Sequence, residues 1–97
     1  MAEFYSASLD RLLNVMLELK QKDELYAFLS ELCSAKELRD LSVRLEVCLL
    51  LQEGLNYRDI SERVGISPAT ISRVYRAFSQ GTGGVLRALE LIEEKGL

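Results

Sequence analysis

The sequence predicts an all-α fold of about six helices built around a central helix-turn-helix. Three observations carry that reading. One Pro and six Gly in 97 residues, with long runs of Leu, Glu, Lys and Arg, favour helices over strands. Apolar residues recur with a 3.6-residue period in successive segments. Between Leu55 and Phe78 the capping and turn residues are dense enough to mark out two short helices and the bend between them.

The first helix is expected from Ser8 to Lys20, where Leu9, Leu12, Leu13, Met16 and Leu19 form one stripe and Lys20, Gln21 and Lys22 end it. Leu25, Phe28, Leu29, Leu32 and Cys33 repeat the pattern and stop before Ser34, giving a second helix. Ser34 and Glu37 have capping-box spacing, in which the hydroxyl takes a free backbone N–H and the carboxylate reaches back to the Ser amide. A third helix should therefore run from about Ala35 to Glu53 and close at Gly54. Leu45, Val47, Cys48, Leu49, Leu50 and Leu51 place apolar side chains on nearly every side of it, so it should be buried all round. A second copy of the chain could cover it, as could neighbouring helices of the same chain. A last helix is expected from about Gly83 to Lys95, with Gly96 as its stop. The whole length, 1–97, reads as one domain.

The segment from about 56 to 78 is the most informative. Asn56 can cap a short helix with Asp59 at N3, and Gly65 ends it with a residue that tolerates positive φ. Ser67 caps the next helix and Pro68 takes its first position, where a missing N–H costs nothing. Two short helices joined by about three residues are a helix-turn-helix. Ile60, Val64, Ile66, Ile71 and Val74 form the inward stripes, and Ser61 is small where the two backbones come closest. The opposite face of the second helix is Ala69, Ser72, Arg73 and Arg76, with Thr70 beside it. Short side chains let a helix enter the major groove, while hydroxyls and Arg reach phosphates and base edges.

Charge is divided unevenly. Residues 1–53 carry a net −4, residues 54–80 a net +2 from Arg58, Arg63, Arg73 and Arg76 against Asp59 and Glu62, and residues 81–97 a net −1. The helix-turn-helix is thus the basic part of an acidic chain, which fits salt-dependent binding to double-stranded DNA. The alternative is a helical protein-interaction module whose arginines are merely solvated. With no His in the chain, the commonest general base and every Ser-His or Cys-His nucleophile are missing, and no phosphate-binding Gly-rich loop follows a strand, so an enzyme is not expected. Cys33 and Cys48 read as buried apolar fillers, and no metal site is expected. No apolar run approaches a membrane span, and the stretch from Met1 to Leu13, with Glu3 and Asp10, does not read as a secretion signal, so a cytoplasmic location is expected.

From about Leu25 to Glu94, and most specifically over DISERVGISPATISR, the chain resembles the Trp-repressor superfamily in its YerC/YecD-type branch. The resemblance implies an interlocked all-α homodimer that presents two helix-turn-helix heads to successive major grooves. It implies DNA contacts from Arg58, at a base-reading position on the first of the two helices, and from Ser67, Pro68, Ala69, Thr70 and Ser72. It also matches Arg44 and Arg73 to the two arginines that hold tryptophan in the family's effector pocket, although an ion pair with Asp40, one turn back, or with a neighbouring helix would explain Arg44 as well. Tryptophan-binding members have Gly after the second arginine, and this chain has Val74. No cofactor is therefore expected, tryptophan included, and the effector is left open.

Overall fold

A computed structural model describes residues 6–97 and shows six helices and no strand among them: α1 (Ala7–Glu18), α2 (Lys22–Leu32), α3 (Ala35–Gln52), α4 (Tyr57–Val64), α5 (Pro68–Ser79) and α6 (Gly84–Lys95). Glu3, part of the basis for reading the N-terminal stretch, lies outside the described residues. The chain forms two compact units, one reaching to Leu38 and the other Arg39–Leu97.

In the first unit α1 begins one residue ahead of expectation, because the Ser6 hydroxyl accepts the Leu9 N–H at 3.1 Å and sets the cap there. It also ends two residues early, where the Lys20 ammonium donates to the free carbonyl of Leu17. α2 has no side-chain cap at Gln21, but Asp23 and Glu24 in its first turn complement the helix dipole. The capping box is formed as its spacing requires: Ser34 N–H donates to Glu37 Oε1 at 2.8 Å and Glu37 N–H to Ser34 Oγ at 3.1 Å. Neither α1 nor α2 buries a single residue, and Leu17, Tyr26 and Leu32 are 60–67% exposed. Cys33, expected as a buried filler, is instead half-buried at the C-cap of α2, because that helix has little packed against it.

The core of the second unit is small and dense. Val47 and Leu50 of α3, Ile60 of α4 and Ile71 of α5 are at most 2% exposed, with Val43, Leu51, Leu55, Tyr57, Val64, Ile66 and Val74 packed around them. Burying each such side chain contributes about 1.5–3 kcal/mol. α3 ends in a Schellman motif: Gly54, at φ +92°, donates to Leu51 and Leu55 donates to Leu50. The expectation that α3 is buried all round is corrected within the single chain. Val47, Cys48 and Leu50 are buried, whereas Leu41 and Leu45 stay 53% and 41% exposed, because α4 and α5 cover one side of the cylinder only.

Cys48 is 3% exposed, and burial pushes its thiol above the ordinary value. The folded thiol therefore keeps its proton where the unfolded one has lost it. This contribution to stability is complete below about pH 8.5 and disappears as pH rises towards the folded value, by at most about 1.4 kcal/mol per pH unit. Urea unfolding between neutral pH and about pH 10 should show a steeper alkaline loss for the native chain than for Cys48→Ala. Equal slopes would exclude the effect.

Candidate nucleic-acid interface

The helix-turn-helix is assembled from local hydrogen bonds before any packing is considered. Asn56 Oδ1 accepts the Asp59 N–H at 2.8 Å and starts α4. Gly65 stops it in the left-handed region at φ +80°, and its N–H donates to the Ser61 carbonyl at 2.9 Å. A Cβ at Gly65 would meet nothing within 4 Å, so glycine is required there by the backbone angle and not by clearance. Ser67 Oγ accepts the Thr70 N–H at 3.2 Å and Pro68 follows at N1, as the spacing predicts. Ser61, read from the sequence only as a small residue, also donates its hydroxyl to the Ile66 carbonyl at 2.5 Å. That bond ties α4 to the turn and fixes where α5 begins.

Ile60 and Ile71, both fully buried, then dock the two helices on α3, and the outward face of α5 is left to solvent. Pro68, Ala69, Arg73 and Arg76 are exposed, and Ser72 is half-buried. Arg73 and Arg76 border a shallow depression with Ala77 and Gln80. Gln80, the C-cap of α5, extends the polar face past the expected end at Phe78; its place one turn beyond Arg76 was the available signal. Thr70 stands apart from that face. It is half-buried, and its hydroxyl lies 3.0 Å from Ser67 Oγ, so both hydroxyls serve the cap.

On α4, Arg58 points fully outward, its side chain 86% exposed, with Nε 3.4 Å from the Glu62 carboxylate one turn on. Glu62 was not singled out by sequence reasoning, although the i, i+4 spacing carried the signal.

Behind α5 lies a pocket of about 470 Å³ between α3, α5 and the start of α6. Arg44 and Arg73 stand in its wall with Leu45, Cys48, Phe78 and Val85, so the two arginines matched by resemblance are brought to one cavity. Val74 lines the same pocket and packs against the core, taking volume that a glycine would leave open. The Phe78 ring, met edge-on by Tyr75 at 6.5 Å, narrows it further. Among the described residues no three His, Cys, Asp or Glu side chains come together as a metal site. No described helix is long and apolar enough to cross a membrane.

Comparison with known proteins agrees with this architecture. Residues 7–93 match the sequence profile of the Trp repressor protein family. The chain is 42% identical over 86 residues to the YerC protein of Bacillus subtilis (strain 168), which spans 89% of this chain and 83% of that one. A crystal structure of a TrpR-like protein from Eubacterium eligens ATCC 27750 superposes with a TM-score of 0.89 at 36% identity, covering 100% of this chain and 97% of that one. A candidate Trp repressor from Staphylococcus aureus gives the same TM-score at 34% identity over 95% and 92% of the two chains. The match extends through every helix from α1 to α6, and the chain belongs to the Trp repressor family as a YerC-type member.

Proposed function

We propose that this protein is a sequence-specific, double-stranded-DNA-binding regulator of transcription, a repressor, that works as a homodimer and not as an enzyme. The observation that carries the reading is the outward face of α5, small and basic, on a helix locked to its support by fully buried Ile71. Ala69 and Ser72 allow close approach to base edges, Ser67 and Pro68 present the helix N-terminus, and Thr70 keeps the cap in shape. Arg73 and Arg76 reach the flanking phosphates, and Arg58 reads a base from α4.

A second copy is the natural cover for the exposed apolar side chains of α1, α2 and α3. A single chain leaves Leu13, Leu17, Leu32, Leu41 and Leu45 at 41–67% exposure, apolar surface that a partner copy would remove from water. Two-fold symmetry would then set the heads on half-sites about one helical turn apart, the arrangement of helix-turn-helix dimers that include the Trp repressor itself. Light scattering should give about twice the 11.0 kDa chain mass at micromolar concentration. A stable monomer with a cooperative melt would remove the dimer from the proposal.

Tryptophan is not expected as a corepressor, because Val74 joins α5 to the core where tryptophan-binding relatives leave room for an indole. Calorimetry with tryptophan should show no heat of binding to the native chain. Micromolar binding would overturn this role for Val74.

Arg76→Ala should weaken binding to selected and scrambled duplexes about equally and lower the salt slope by about one, because a phosphate contact carries no sequence information. Arg58→Ala should cost about 1–3 kcal/mol on the selected duplex and much less on the scrambled one. Equal losses on both duplexes would refute the base-reading role of Arg58. Native affinity in both variants would refute the proposed interface as a whole.

A further inference from the structure

Glu62 has no use in the fold. It lies beyond the first turn of α4, where a carboxylate would complement the helix dipole, and it caps nothing; Asp59 already occupies N3. Its side chain is 67% exposed and its pair with Arg58 is open to water, where such pairs contribute little to stability. It also subtracts from the charge of the basic segment. A carboxylate there weakens attraction to phosphate, so its position one turn from Arg58 calls for a local explanation.

The geometry supplies one. Glu62 Oε1 faces Arg58 Nε at 3.4 Å, which engages the inner edge of the guanidinium and leaves the two terminal Nη groups free. Those two groups form the fork that spans O6 and N7 of guanine. We propose that Glu62 is a specificity-determining residue: its charge beside Nε biases the Arg58 guanidinium towards end-on contact with guanine and disfavours competing contacts of the same guanidinium with phosphate. This rests on the DNA-binding reading above and adds a selectivity device to it. An unrestrained arginine at 86% exposure would accept any nearby acceptor, phosphate oxygens foremost. With the carboxylate beside it, phosphate approach brings two anions together, whereas the neutral edge of guanine meets no such repulsion. Discrimination of this kind comes from making the wrong contact worse as well as the right one better.

The test compares the native chain, Glu62→Gln, Arg58→Ala and Glu90→Gln, each titrated on a selected duplex and on its scrambled counterpart at several salt concentrations. Glu90 is a matched control for charge, an exposed carboxylate paired with Arg87 at 3.2 Å on α6. Glu62→Gln should tighten binding to scrambled DNA about threefold to tenfold, leave the selected duplex nearly unchanged, and so reduce discrimination by about the same factor. Glu90→Gln should leave discrimination as in the native chain. If Glu62→Gln shifts both duplexes equally, as a general charge effect would, the proposal fails while the DNA-binding reading stands. A native chain that binds neither duplex overturns both.

Discussion

The placement of α5 is the constraint on which the rest of the candidate interface depends, and it comes down to Ile71. With Ile60, Val47 and Leu50 it forms a core of four side chains, all at most 2% exposed. α3, α4 and α5 all meet at this point. The outward face of α5 has a fixed direction because its inward face has no freedom. The Ser61 hydroxyl on the Ile66 carbonyl and the left-handed Gly65 restrict the turn to one path, so that Ile71 arrives over α3 in register. A core this small tolerates little loss. Removing one of its large side chains costs about 2–5 kcal/mol, a substantial share of a small domain's stability.

The parts of this arrangement visible in the sequence were those encoded within a few residues. The bounds of α4, the cap at Ser67, the box at Ser34 and Glu37, and the stop at Gly54 each follow from a local pairing of donor and acceptor or from a required positive φ. Less visible were features that depend on what lies across from a residue. Cys33 and Cys48 look alike in sequence, both in apolar stretches, but Cys48 has α3's covered side while Cys33 sits at an exposed helix end. Thr70 illustrates the same limit on the candidate interface. Its spacing puts it near the outward stripe, and only the approach of its hydroxyl to Ser67 shows that it belongs to the cap.

The Arg44 and Arg73 pocket joins a polar wall to an apolar one that is shared with the core. Both arginines line one pocket, as the family resemblance leads one to expect. Val74 alters the apolar part, because its branched side chain belongs at once to the pocket wall and to the core beneath it. A ligand wedged there in a relative would link α5 to α3 from outside. In this chain a side chain makes that link from within, and α5 has a packed connection to α3 whether or not the cavity is filled.

The exposed half of α3 and the unburied helices before it follow from the same economy of size. A chain of 97 residues buries a smaller fraction of its surface than a large domain does, and α4 and α5 cover one side of the 18-residue α3. In the second unit Leu41 and Leu45 stay exposed, and in the first neither α1 nor α2 has a buried residue. In the proposed dimer the same surface of each copy would meet at the two-fold axis, so apolar side chains left uncovered in one copy would be covered by those of its partner. The acidic charge of residues 1–53 then lies on the dimerising part and the basic charge on the heads. Under the proposed function, such a separation would orient the molecule towards DNA before contact, with the acidic segment repelled by phosphate and the basic segment attracted to it.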